Sequence, residues 1–241
     1  MNYMVLAAGR GSRMGNLSSY LQKCMYPVID RPFLELTLDS LVSNARFDAA
    51  KDRIILVVGH LQEQIRAYFG SNWKGLELQY VHQTEALGTA HAVALGYQAC
   101  VPDCPVIIVQ ADVWAEPVFF ENLVDHPVHD VLSICRHECA FQHNERVNVD
   151  HGMITRAWKG TSPFVECGIW KFSPDMIGFM MSRKDDEYRA LASVQAAIES
   201  GRQVAAIERG TWIHLGGTEP GVAENLIAVV EFFQKERQAW L

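Results

Sequence analysis

Glycine and fixed positive charge interleave in Leu6-Ala7-Ala8-Gly9-Arg10-Gly11-Ser12-Arg13-Met14-Gly15, and Lys23 stands ten residues beyond Arg13. Gly9, Gly11 and Gly15 permit backbone conformations that other residues resist, and they let N–H groups come close to an anion. Arg10 and Arg13 carry charge that does not titrate. A loop, an arginine and a lysine so arranged can clamp a triphosphate. Taken alone, the same residues also fit a flexible turn with solvated cations. The stretch is not the dinucleotide fingerprint, because the third glycine and a later acidic partner are missing. No Gly-Lys-Ser/Thr makes it a Walker loop either.

Two further positions carry chemistry. Gln83, in His82-Gln83-Thr84-Glu85-Ala86-Leu87-Gly88-Thr89, both donates and accepts and can read the edge of a base. Gly88 lets a base approach the backbone, and Thr89 opens a helix, where a plain capping role is the alternative. Asp112 follows the apolar run Val106-Ile107-Ile108-Val109. A carboxylate there suits a hard cation, with a helix cap as its alternative role. Cys135, His137 and Cys139 lack a compact fourth ligand for zinc, so the six cysteines are expected to be free thiols.

These residues need elements to hold them. Apolar runs predict strands over Tyr3–Ala8, Arg53–Gly59, Leu76–Val81, Pro105–Val109 and Asp130–Cys135. Helical spacing predicts helices over Phe33–Ala45, Leu61–Phe69, Thr89–Cys100 and Pro117–Val124. Strands joined by helices imply an α/β fold with a Rossmann-like, mixed but mostly parallel sheet flanked by helices. Ligands in such sheets bind beyond the carboxyl ends of the strands, which is where the Ala8, Val81 and Val109 loops lie. Farther on, Arg146–Val149 and Met153–Trp158 read as a hairpin turning at Asp150-His151-Gly152, and Phe164–Phe172 as a strand. Helices are expected over Pro174–Met181, Asp186–Ser200 and Thr218–Gln238, with short strands at Gln203–Ile207 and Thr211–Leu215.

Composition narrows the function. A net charge of −7 argues against a general nucleic-acid binder, which needs a basic surface. With 49% hydrophobic and 20% charged residues the chain is globular rather than disordered. No stretch approaches the roughly 20 apolar residues of a membrane span. Met1–Gly9 reads as a buried strand rather than a signal peptide, so a cytoplasmic location is expected. No linker or repeat divides the 241 residues, which points to a single domain.

The stretch Leu6–Pro32 resembles the signature of the sugar-phosphate nucleotidyltransferases: Gly9-Arg10-Gly11-Ser12-Arg13-Met14, then Lys23, Pro27-Val28 and Pro32. The resemblance implies a loop that wraps an NTP, with Leu6 to Arg13, Lys23, Gln83, Gly88 and Thr89 binding the nucleotide and Arg13 and Lys23 catalytic. It implies Mg²⁺, with Mn²⁺ as a substitute, on Asp112, which Ala111 precedes in place of the usual glycine. Glu166-Cys167-Gly168-Ile169-Trp170 resembles the strand bordering the acceptor pocket, and Lys159 matches a lysine that contacts acceptor phosphate. In Trp212-Ile213-His214-Leu215-Gly216-Gly217-Thr218, His214 stands where relatives carry the second metal aspartate. The implied layout is a nucleotide-binding half, 1–125, and a small β-rich acceptor-binding half, 126–241, within one nucleotidyltransferase domain. The implied reaction joins an NTP to a sugar 1-phosphate, or a similar small phosphorylated acceptor, and releases pyrophosphate. A homo-oligomer is open; nucleic acid and membrane are not expected as partners. Glu166 with Trp158, Trp170 and Trp212 nearby would suit an ammonium group, so a cytidylyltransferase acting on a phosphocholine-like or aminoalkyl phosphate or phosphonate is the second reading. An impaired, nucleotide-binding regulator is the third, motivated by His214. A glycosyltransferase would carry Asp-x-Asp after the strand, where this chain has Asp112-Val113-Trp114.

Overall fold

The computed structural model describes residues 1–136, 146–181, 189–208, 213–215 and 222–239. The strands are β1 (Asn2–Ala7), β2 (Pro27–Val28), β3 (Arg31–Pro32), β4 (Arg53–Val58), β5 (Asn72–Trp73), β6 (Leu76–His82) and β7 (Val106–Gln110) in the first half. They continue with β8 (Val113–Trp114), β9 (Val131–Arg136), β10 (Arg146–Asp150), β11 (Met153–Arg156), β12 (Phe164–Phe172), β13 (Ala205–Glu208) and β14 (Ile213–His214). The helices are α1 (Phe33–Val42), α2 (Gln62–Phe69), α3 (Thr89–Tyr97), α4 (Pro117–Asp125), α5 (Pro174–Met181), α6 (Ala190–Glu199) and α7 (Val222–Ala239).

Ten strands form one sheet in the order β10-β11-β13-β9-β12-β7-β1-β4-β6-β5. β7, β1, β4 and β6 run parallel, as expected for strands joined by helices. The second half adds antiparallel pairings through β12, which lies between β7 and β9, so strands from both sides of residue 125 share the sheet. Successive strands from β1 through β4 to β6 build outward in one direction, and β7 returns to the other flank of β1. The strand order therefore reverses between β1 and β7, and a crevice opens beyond their carboxyl ends.

Strand alternation sorts the core into two layers. Tyr3, Val5 and Ala7, with Ile54, Leu56, Val58, Ile107 and Val109, face α1, α2 and α4. Met4 and Ala8, with Ile55, Val57, Val106 and Ile108, face α3, α5 and α6. Both faces of β1 are buried, which is why its sequence is a continuous apolar run. A smaller cluster joins Val229 and Phe233 of α7 to Val28, Phe33, Leu36 and Leu215.

Several elements differ from expectation at their ends. α1 stops at Val42 and α3 at Tyr97, each followed by a residue still near helical angles, so spacing alone overruns the hydrogen-bonded helix. β2, β3, β5, β8 and β14 are two residues each, too short for any periodicity to register. A 3₁₀ segment over Ser12–Ser19, kinked at Gly15, follows the glycine loop. His137, Cys139, Thr211, Trp212, Gly216 to Pro220 and the start expected for α6 at Asp186 lie outside the described residues. Five cysteines among the described residues are free thiols.

Two helical glycines predict opposite outcomes. A Cβ on Gly96 would lie 2.7 Å from Val57 Cγ2 and from Met4 Sδ, so α3 needs glycine to reach the sheet. Exposed Gly178 in α5 has open space around the same position. Gly96→Val is expected to destabilise by about 1–3 kcal/mol through overpacking. Gly178→Ala is expected to stabilise by about 0.5–1 kcal/mol through chain entropy. Denaturant melts of both variants check the pair.

Candidate functional site

The site is built at the strand-order reversal. β1 leaves the sheet after Ala7. Gly11 takes left-handed angles (φ 64°, ψ 29°), where a side chain would be strained and its Cβ would sit 3.0 Å from Lys23 Cβ. The loop and Lys23 are thus in contact although far apart in sequence. Lys23 opens a one-turn 3₁₀ segment, Lys23–Met25, capped by the Gln22 side chain, which accepts from Cys24 N–H.

One cleft of about 320 Å³ gathers Leu6, Ala8, Gly9, Gly11, Ser12, Arg13, Lys23, Gln83, Gly88, Thr89 and Asp112. Two expected nucleotide-binding residues do not line it. Alternation along β1 turns Leu6 and Ala8 toward the cleft and buries Ala7 in the opposite core layer. Arg10 is exposed outside the cleft wall, whereas Arg13, also exposed, lines it. The cleft joins the glycine loop, the amino-terminal end of α3 and two cationic side chains, a combination that favours anions.

Asp112 is the charge partner in the cleft. Lys23 Nζ donates to Asp112 Oδ2 at 2.5 Å, and His214 Nε2 lies 3.2 Å from the same oxygen. β14 delivers His214: it pairs antiparallel with β8, His214 opposite Val113, and Leu215 N–H donates to the Asp112 carbonyl. From below, Thr37 and Ser40 of α1 donate to the Val113 and Ala115 carbonyls. Burial raises the Asp112 carboxyl, but Lys23 and His214 outweigh it and hold the group well below the usual carboxylate range. Asp112 is therefore ionised, which is the state a cation needs. Among the described residues no cluster of three His, Cys, Asp or Glu side chains could hold a metal alone. One carboxylate with an imidazole nearby fits Mg²⁺ only if phosphate oxygens and water complete the shell, as Mg²⁺ commonly allows.

At the far end, buried Gln83 is held by its Nε2, which donates to the Gly88 carbonyl at 3.1 Å and lies 3.0 Å from His91 Nδ1. Thr89 does not cap its own helix. Its hydroxyl accepts from Ala190 N–H and ties α3 to the start of α6.

The expected acceptor residues do not gather in the cleft. Gly168 is closest: it takes φ 78°, and a Cβ there would meet Val113 and Gln110 beside Asp112. Glu166 is buried, and its Oε1 accepts from Trp170 Nε1 and Gly168 N–H, bracing the irregular stretch of β12. Trp170 offers Glu166 its ring edge and stacks its face on Phe172, and Trp158 carries Lys159 and Arg189 over its ring. Trp170 is buried and Trp158 lies under two of the protein's own cations, so these two rings do not face the cleft as an ammonium pocket would. Lys159 is exposed, away from the cleft lining, and Trp212 lies outside the described residues. Sequence reasoning missed Gln22, a buried polar residue that also lines the cleft. Its only sequence signal was its place beside Lys23.

A family model described as nucleotidyl transferase matches residues 2–131. UTP–glucose-1-phosphate uridylyltransferase AglF of Haloferax volcanii is 26% identical over 235 residues, covering 88% of this chain and 89% of that protein. CMP-5'-(3-aminopropyl)phosphonate synthase of Streptomyces rubellomurinus is 32% identical over 133 residues, 55% of this chain and 20% of that protein. The match thus spans about a fifth of that longer relative. A solved UDP-glucose pyrophosphorylase bound to UDP-glucose superposes with a TM-score of 0.75 at 16% identity, covering 98% of both chains, and so shares the fold. With more than half of its residues matched by the family model, and the cleft assembled from the loop it includes, the chain belongs to the nucleotidyl transferase family.

Proposed function

We propose that this protein joins an NTP to a small phosphorylated acceptor, a sugar 1-phosphate in the first reading, and releases pyrophosphate. The observation that carries the proposal is the convergence of the Gly9–Arg13 loop, Lys23 and ionised Asp112 on one cleft. Similarity to the uridylyltransferase AglF along most of both chains supports the sugar-phosphate class. Residues 1–125 would form the nucleotide side and residues 126–241 the acceptor side. A cytoplasmic setting, which keeps thiols reduced, suits the five free cysteines among the described residues; no helix there is long and apolar enough to cross a membrane.

An acceptor phosphate oxygen would attack the α-phosphorus in line with departing pyrophosphate. The nucleophile is already an anion, so no general base is needed. Catalysis reduces to positioning and neutralisation of charge. Arg13 and the loop amides would hold the β- and γ-phosphates. Lys23 would leave Asp112 for the α-phosphate as the triphosphate enters. Gln83 and Gly88 would border the base. Asp112, with His214 beside it, would hold Mg²⁺ or Mn²⁺, which supplies charge neutralisation at the phosphates.

The aminoalkyl phosphonate or phosphocholine-like reading stands on similarity to the Streptomyces synthase rather than on an aromatic pocket.

Lys23→Ala is expected to lower kcat/KM by about 10²-fold; a fully active variant would remove Lys23 from the mechanism. Folding also depends on Asp112. Its carboxyl has a lower pKa folded than unfolded, so its pairing stabilises above the unfolded value, about 3.9, and is lost as pH falls through the folded one. The Tm deficit of Asp112→Asn should therefore be full at neutral pH and close only in acid below the ordinary carboxylate range. Acceptor class is decided by pyrophosphate release from CTP, UTP, dTTP, GTP and ATP, each paired with glucose 1-phosphate, phosphocholine and 3-aminopropylphosphonate, under Mg²⁺ and Mn²⁺. Turnover best with glucose 1-phosphate is expected. Turnover confined to the amines favours the second reading, and NTP binding without turnover of any pair favours a regulator.

A further inference from the structure

We propose that Gln22 is the positioning residue that sets the glycine loop in register with Lys23. The assignment rests on the reading of that loop as a polyphosphate cradle.

Gln22 is 2% exposed, yet every polar atom it has is used. Its amide nitrogen donates to the Ala7 carbonyl at 2.8 Å and to the Gly9 carbonyl at 3.1 Å. Its amide oxygen accepts from Cys24 N–H at 2.9 Å. Its backbone carbonyl accepts from Met25 N–H, and its backbone N–H donates to Gln64 Oε1 of α2 at 2.9 Å. Gln64 Nε2 in turn donates to the Tyr20 carbonyl at 2.8 Å. One side chain thus joins the end of β1, the glycine loop and the turn carrying Lys23.

The consequence for anion binding follows from peptide geometry. In a trans peptide the carbonyl and the next N–H point in opposite directions. Holding the Gly9 carbonyl on Gln22 therefore fixes the plane of the Gly9–Arg10 peptide and with it the course of the loop. A loop that offers N–H groups to an anion must satisfy its carbonyls elsewhere, and Gln22 does this with two donors from one rigid amide. Glutamate could still accept from Cys24 but could give nothing to Ala7 or Gly9. Methionine, close in length, could do neither.

The test compares wild type with Gln22→Met, Gln22→Glu and Gln64→Leu. Three quantities are read: Kd for an NTP with Mg²⁺ by calorimetry, the split between KM and kcat, and hydrogen exchange of the peptide spanning Leu6–Met14. Both Gln22 variants are expected to weaken NTP binding by about tenfold or more, the effect of losing a buried hydrogen bond or two. KM should rise more than kcat falls, and loop amides should exchange faster. Gln64→Leu, which loosens the brace from outside, should shift the same quantities by about threefold. A folded Gln22→Met or Gln22→Glu with wild-type Kd and loop exchange overturns the proposal. Should both fail to fold, wild-type values in Gln64→Leu overturn it. If wild type itself binds no NTP, the cradle reading has failed, and loop exchange still decides whether Gln22 orders the loop.

Discussion

Two opposite charges, Lys23 and Asp112, meet where β1 and β7 part, and most of the architecture around them keeps that meeting in place. Neither residue is near the other in sequence. The parallel sheet sets the carboxyl ends of β1 and β7 side by side, and Asp112 follows β7 by two residues. Gly11 admits Lys23 by lacking a side chain. Thr37 and Ser40 of α1 anchor the segment after Asp112 through its carbonyls. The β8–β14 pairing adds His214 on the other side, and Trp114 packs edge-on against Phe232 and Phe233 of α7. A half-buried carboxylate is costly unless paired, so this arrangement must be complete for the cleft to keep its charge.

The same pairing would give an acidic protein a cation to offer a polyanion in the proposed reaction. The net charge of −7 says nothing about local field. In the proposed reaction, an incoming triphosphate replaces Asp112 as the partner of Lys23, and Asp112 becomes available to a divalent ion. One exchange of partners would then bring both charges of the pair into use.

Much of this was legible in the sequence, for definite reasons. The strand-loop sequence Leu6–Gly15 and the run Val106–Asp112 mark strand ends, and strand ends in a parallel sheet are where ligands bind. Gln83, Gly88 and Thr89 were legible as a loop opening a helix. Alternation along β1 could have excluded Ala7, because both faces of that strand are buried and only one meets the cleft. Other features had no local signal. β8 and β14 are too short for periodicity, and their pairing joins residues a hundred positions apart. The roles of Glu166 and Trp170 depend on an irregularity in β12 that turns one side chain onto the other. Gln22 reads as an ordinary polar residue until the fold buries it between three segments.

The central claim is that the loop after β1, with Lys23 and Arg13, grips the triphosphate of a nucleotide. A crystal structure with a non-hydrolysable NTP and Mn²⁺, located by its anomalous signal, tests this most directly. The account predicts phosphates against Gly9–Arg13, Lys23 Nζ moved from Asp112 onto a phosphate oxygen, and the metal on Asp112. A triphosphate bound elsewhere, with the Lys23–Asp112 pair intact, would contradict it.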